Sequence, residues 1–209
     1  MRLGLLGGSF DPVHLGHLLM AQVVVEQLRL DEVRFVPAGQ PWMKRSGTLA
    51  ASNHRRDMVE MAVRVHPQFT LCSLELDREG DTFTVDTLEQ VRAEWGPHDD
   101  LFFIMGADTL ESFHRWKEPQ RVLSLATVVV VMRPGHGEPE LEAAKRRVPG
   151  AQEAMVVVRS QLSDISATDI RDRVAHDLPI RHLVPEGVAE YIEAHGLYRR
   201  RAPNRPAEE

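Results

Sequence analysis

The stretch that decides the fold is RLGLLGGSFDPVHLGH, residues 2–17. An apolar run over residues 2–6 reads as a strand, Gly7 and Gly8 turn the chain sharply, and a helix is expected over 16–29. A strand that feeds a helix through a glycine turn presents backbone N–H groups and a helix dipole to an anion such as phosphate. His14 and His17 are three residues apart, so both imidazoles share one face of the first helical turn. The turn is neither of two common phosphate loops. Gly4, Gly7 and Gly8 do not form G-x-G-x-x-G, and no Gly-Lys-Ser/Thr occurs.

Two other readings of the histidine pair stay open here. One is a glycine-rich turn with solvent-facing histidines. The other is a metal pair, although no carboxylate stands at the spacing of a zinc hydrolase.

Outward from this stretch, strands are expected at 2–6, 33–36, 69–76, 101–105, 127–132 and 155–158. Several are apolar at consecutive positions, as in strands covered on both faces. Helices are expected at 16–29, 52–66, 85–95, 138–147, 168–175 and 186–195, with Ser52 capping the second and Gly196 just past the last. Val23, Val24 and Val25 disfavour a helix, but Leu18, Leu19, Val23 and Leu28 recur at helical spacing. The alternation predicts an α/β fold: a doubly wound, Rossmann-like, mostly parallel sheet with a small helical part near the C-terminus. Ligands in such sheets bind at strand carboxyl ends, where strand order reverses.

The chain has 209 residues, and residues 1–198 read as one domain followed by a disordered tail over 199–209. With 25 basic and 31 acidic residues the net charge is −6, the wrong balance for a chain that neutralises many phosphates, so no nucleic-acid partner is expected. Apolar runs such as 125–132 are too short for a membrane span, and the N-terminal residues do not read as a signal peptide. The one cysteine, Cys72, excludes an internal disulfide and agrees with a reducing cytoplasm. The segment 38–51 is a long loop carrying Trp42, Lys44 and Arg45.

A second motif stands at Ile165-Ser166-Ala167-Thr168-Asp169-Ile170-Arg171. Ser166 with Asp169 three residues on reads as a capping box, with Thr168 and Arg171 adding a hydroxyl and a fork of donors. Alone, it reads better as a plain helix cap with a surface arginine.

The run 7–17 resembles the G-x-F-D-x-x-H-x-G-H signature of the nucleotidyltransferase superfamily, and 165–171 resembles its I-S-x-T-x-x-R element. With Gly106-Ala107-Asp108, Trp116-Lys117 and Thr82-Phe83-Thr84-Val85-Asp86-Thr87, the likeness narrows to the bacterial nicotinate mononucleotide adenylyltransferases. It runs from Arg2 to Tyr198 and includes a Gly196-Leu197-Tyr198 close.

The resemblance implies adenylyl transfer from ATP to nicotinate mononucleotide, giving nicotinate adenine dinucleotide and pyrophosphate in NAD biosynthesis. It implies that the backbone of Gly7, Gly8, Ser9 and Phe10, with His14 and His17, holds the phosphates of both substrates. Ile165, Ser166, Thr168 and Arg171 would hold the triphosphate, with Lys44 a further phosphate contact. Gly106 and Asp108 would lie beside the nucleotides. Backbone near Thr84 and Lys117 would receive the pyridine carboxylate, and Trp116 the ring. His14, His17 and Arg171 would carry catalysis. Mg²⁺ would come with ATP, held by substrate and water, with no protein metal site.

The sequence departs from the family at Pro41-Trp42-Met43-Lys44, where Pro-Pro-His-Lys is common, at Phe83 for tyrosine and at Ser9 for threonine. Other acceptors (nicotinamide mononucleotide, phosphopantetheine, a small phosphate in cytidylyl transfer) and a catalytically silent nucleotide-binding module remain as alternatives. A dehydrogenase survives only as a fold-level analogy. Oligomeric state is not legible.

Overall fold

The computed structural model describes residues 1–41, 49–95, 100–132, 138–160 and 165–200. Lys44 and residues 201–209 of the expected tail lie outside the described residues. In chain order the elements are β1 (Arg2–Gly8), α1 (Leu15–Leu28), β2 (Glu32–Pro37), β3 (Gln40–Pro41), α2 (Ser52–Val63), β4 (Phe69–Leu71), β5 (Asp81–Thr82) and α3 (Thr84–Trp95). There follow β6 (Asp100–Gly106), a 3-10 turn (Ala107–Thr109), α4 (Leu110–Phe113), α5 (Pro119–Leu125), β7 (Thr127–Met132), α6 (Glu138–Arg147) and α7 (Ala151–Ala154). The last three are β8 (Met155–Arg159), α8 (Ala167–Ala175) and α9 (Glu186–Ala194).

Six strands form a parallel sheet in the order β4-β2-β1-β6-β7-β8. The chain winds outward from β1 through β2 to β4, then returns to the other side of β1 and winds away through β6, β7 and β8. The reversal of strand order falls between β1 and β6. Their ladder ends at Leu6–Ile104; beyond it Gly7 and Gly8 pair with β2, while Met105 and Gly106 pair with β7. A crevice therefore opens at these carboxyl ends, where doubly wound sheets take their ligands.

Both faces of the sheet are covered. Leu6, Val33, Phe35, Ile104, Val129 and Val131 bury toward α1, α2, α8 and α9. Leu3, Leu5, Val36, Phe103, Val128, Val130 and Met132 bury toward α3 to α7. This explains the unbroken apolar run of β7, because alternate side chains find a core on either side. Each fully buried valine there contributes about 1.5 kcal/mol or more of transfer free energy. That burial also overrides the weak propensity of Val23–Val25, which lie inside α1 as expected.

Three local expectations need correction. The strand expected over 69–76 stops at Leu71, and the chain turns as Asp77 N–H bonds Ser73 O at 3.0 Å. Here the polar side chains find local partners: Ser73 bonds Asp77, and buried Glu75 accepts from Thr87 Oγ1 at 2.8 Å. Ser52 does not cap α2. The cap position is Ala51, and the entry is held instead by Asp11 Oδ1, which accepts from Ala50 N–H, and by Arg55 Nε, which donates to Ala50 O. α2 ends at Val63 rather than His66, as fits a helix shortly before Pro67. The short β3–β5 ladder and the helices α4, α5 and α7 were not expected. Gly39 beside the ladder allows a close chain approach, since a Cβ there would lie 2.1 Å from Glu75 O.

Candidate functional site

The turn after β1 carries strain where it faces the crevice. Phe10 sits at φ 46°, in the left-handed region. That conformation costs an L side chain about 1–2 kcal/mol and persists where the surroundings over-determine it. Here the buried ring does so, packing 5.6 Å from Phe35 and edge-on, 4.8 Å, against His17. The Phe10 ring thus belongs to the core, and what the turn offers a ligand is backbone.

His14 is the N-cap residue of α1, and its ring stacks on His17 with centroids 3.6 Å apart. His17 Nδ1 accepts from the His14 backbone N–H at 3.2 Å. In the neutral ring the proton therefore sits on Nε2, making that nitrogen the donor. His14 is 7% exposed, and burial pushes its pKa down to about 4, so it is neutral at physiological pH. Its Nδ1 is buried with no hydrogen-bond partner in the structure. Gly16 makes room for this ring, since a Cβ there would lie 3.0 Å from His14 Nδ1.

The second motif opens α8. Ser166 Oγ accepts from Asp169 N–H at 3.1 Å, so the N-cap half of the expected capping box forms. One turn in, Arg171 Nη1 donates to the main-chain oxygen of Asp11 at 2.8 Å, and Nη2 to Thr168 Oγ1 at 3.2 Å. The two motifs are thereby joined across 160 positions of sequence. Ile165 lies beside Gly16, its Cβ 3.6 Å from where a Cβ on that glycine would stand.

The remaining residues lie on the β6 side. Gly106 ends β6 and Asp108 is exposed in the 3-10 turn that follows. Thr84 opens α3, and Lys117 Nζ bridges both oxygens of Asp86 at 2.7 and 3.0 Å while lying 4.9 Å from the Phe83 ring centre. Trp116 packs edge-on against Phe103 at 5.8 Å, with its indole Nε1 buried and unpartnered. Phe103 in turn backs onto Gly7, 3.1 Å from where a Cβ would stand. One aromatic ring therefore separates the turn after β1 from Trp116.

Three residues with no role assigned from sequence organise this site. Arg55, 2% exposed, donates to the carbonyls of Ser9, Ala38, Gly39 and Ala50 at 3.0, 2.6, 3.2 and 3.1 Å. Burial lowers its pKa, and the Asp11 carboxylate partly offsets this. Asp11 is equally buried and accepts from Tyr198 Oη at 2.7 Å. A signal for Arg55 was present: it falls on the apolar face of α2 at the spacing of Met58, Val59 and Ala62. Among the described residues no three His, Cys, Asp or Glu side chains gather as a metal site, and no helix is long and apolar enough to cross a membrane.

The cytidylyltransferase-like family pattern matches residues 5–173. The "Probable nicotinate-nucleotide adenylyltransferase" of Dehalococcoides mccartyi strain 195 is 37% identical over 200 residues, covering 96% of this chain and 98% of the relative. The protein of the same name from Roseiflexus sp. RS-1 is 42% identical over 197 residues, covering 94% and 98%. Among solved structures, Plasmodium falciparum nicotinic acid mononucleotide adenylyltransferase complexed with NaAD superposes with a TM-score of 0.76 at 20% identity, covering 94% of this chain and 97% of that one. The structural likeness establishes the fold.

Proposed function

The chain belongs to the cytidylyltransferase-like family, among the nicotinate-nucleotide adenylyltransferases, and from that premise we propose how its residues act. It transfers the adenylyl group of ATP to nicotinate mononucleotide, forming nicotinate adenine dinucleotide and pyrophosphate in NAD biosynthesis. The observation that carries the mechanism is the bond from Arg171 to Asp11 O, which sets the start of α8 against the turn leading into α1. Two cap regions with their donors are thereby brought side by side, as a reaction between two phosphates requires.

A phosphate oxygen of the mononucleotide attacks the α-phosphorus of ATP in line, and the bond to the bridging oxygen of pyrophosphate breaks. The attacking phosphate is already ionised, so the protein supplies no nucleophile and no strong base. Its part is to hold two anions in register and to stabilise charge in the transition state. The backbone of Gly7, Gly8, Ser9 and Phe10 and the Nε2 donor of His17 face the reacting phosphates, with neutral His14 stacked behind. Ser166, Thr168 and Arg171 hold the triphosphate, with Ile165 beside them, and Lys44 adds a phosphate contact. Gly106 and Asp108 border the nucleotides.

The pyridine carboxylate is received by backbone N–H groups near Thr84 and Lys117, since the Lys117 ammonium is engaged by Asp86. Trp116 lies against the ring. Mg²⁺ would enter with ATP and supply positive charge to its phosphates, with no protein side chain assigned to hold it. The net charge of −6 supports small anions held locally rather than a nucleic-acid partner. The chain's one cysteine, Cys72, is buried, which agrees with a cytoplasmic site of action.

The test is Mg²⁺-dependent pyrophosphate release from ATP with nicotinate mononucleotide, nicotinamide mononucleotide and phosphopantetheine in parallel. The nicotinate substrate is expected to give a much higher kcat/KM than the other two. Release with another acceptor alone removes the pyridine pocket, and ATP binding without release from any of the three removes the enzyme.

A further inference from the structure

Three distant stretches of chain meet at the buried side chain of Asp11. Oδ1 accepts from Ala50 N–H at 3.1 Å and from Tyr198 Oη at 2.7 Å. Oδ2 stands 3.9 Å from Arg171 Nη1, and that same nitrogen donates to the Asp11 main-chain oxygen at 2.8 Å. Tyr198 is 187 positions away in sequence, so only the complete fold creates its contact. Its phenol stays protonated, because burial and the neighbouring Asp11 carboxylate both push its pKa well above the usual range. It is therefore a permanent donor. Its backbone sits at φ 65°, and Phe10, next to Asp11, at 46°. The tyrosine end of this bond, and the residue beside its aspartate end, are thus held where the local backbone would not settle unaided.

We propose that Tyr198 is a positioning residue for the triphosphate site, acting through Asp11 to keep Arg171 available to ATP. The inference rests on Arg171 being a triphosphate ligand, as read above. Arg171 is oriented by two neutral acceptors, Asp11 O and Thr168 Oγ1. The Asp11 carboxylate is a charged competitor already at the margin of ion-pair distance. The Tyr198 hydroxyl and Ala50 N–H hold Oδ1 turned away from the guanidinium. Without the hydroxyl the carboxylate is free to rotate toward Nη1 and close a charge-assisted pair, which draws the guanidinium away from a phosphate. The late-chain tyrosine thus lowers the cost of recruiting Arg171.

The experiment compares wild type, Tyr198→Phe, Arg171→Ala and the double variant by steady-state kinetics in both substrates, with thermal unfolding of each. Tyr198→Phe keeps the ring and the apolar packing. It is expected to raise KM for ATP about 3–10-fold while kcat and KM for the mononucleotide stay within about twofold. In the Arg171→Ala background the same change is expected to move KM for ATP by less than about twofold, because the residue being positioned is gone. An equal effect in both backgrounds, or equal rises in both KM values, overturns the proposal and leaves Tyr198 a packing residue. If Arg171→Ala alone leaves KM for ATP unchanged, the triphosphate assignment fails first and the proposal falls with it.

Discussion

The imidazoles of His14 and His17 stack with centroids 3.6 Å and planes 25° apart, so the two rings heading α1 form one unit. Two adjacent imidazoliums would repel, and burial alone holds His14 neutral. In the proposed mechanism the ring that acts on an anion is His17, half-buried and with its Nδ1 accepting from the His14 N–H.

Removing that donor is expected to strike chemistry more than binding. His17→Ala should lower kcat by roughly 10²–10³, the usual scale for one charge-stabilising donor. Single-turnover rates at saturating substrates measure this directly. Turnover near wild type would take His17 out of the mechanism.

Gly16 tests the geometry without removing a polar group. In a helix, Gly→Ala ordinarily stabilises by up to about 1 kcal/mol. Here the added methyl meets His14 Nδ1 at 3.0 Å and Cε1 at 3.1 Å, so the stacked pair must shift. Gly16→Ala is expected to lower kcat about tenfold, since displaced catalytic groups cost rate steeply. Unchanged kcat would show that Gly16 does not set the ring position.

The depressed pKa of His14 also makes stability depend on pH. A histidine titrates near 6.5 when unfolded and His14 near 4 in the fold. Between those values the unfolded chain binds the extra proton, so stability rises with pH across that window. The contribution is fully present above about pH 6.5 and lost as the pH falls to about 4. Its ceiling is about 3 kcal/mol. Urea unfolding of wild type and His14→Gln at pH 4.5 and 7 measures it, with a shallower pH slope expected in the variant. Equal slopes would mean that His14 is solvated in the fold.

The elements that place the site were legible because their signals are local. β7 reads as a strand buried on both faces from Thr127–Met132 alone, and Ser166 with Asp169 announces the cap that forms at α8. What was not legible depends on partners that carry no sequence signature. Arg55 bonds four carbonyl oxygens, which every residue possesses, so only its place on an apolar helix face marked it. Ser52 looked like a cap because a hydroxyl before a helix normally is one, but Asp11 and Arg55 had taken over the entry to α2 from elsewhere in the chain. The strand expected over 69–76 failed for a similar reason. Glu75 is drawn into a buried bond with Thr87, which local alternation cannot foresee.

Arg55 carries the last prediction. Its guanidinium ties Ser9 in the turn after β1 to Ala38 and Gly39 at the end of β2 and to Ala50 at the entry to α2. Lysine keeps the charge beside Asp11 but places three donors on one flexible nitrogen, which cannot span carbonyls that the planar fork reaches together. Arg55→Lys is therefore expected to cost about 2–4 kcal/mol in urea unfolding, from hydrogen bonds to a charged donor left unmade. Arg55→Ala should cost about 3–5 kcal/mol, because Asp11 then stays buried without that compensating charge. A lysine variant within about 0.5 kcal/mol of wild type would mean that charge alone is needed at this position. A large loss in lysine, close to that in alanine, would assign the stabilisation to the fork itself, and with it the fixed spacing between the phosphate turn and the loops that flank it.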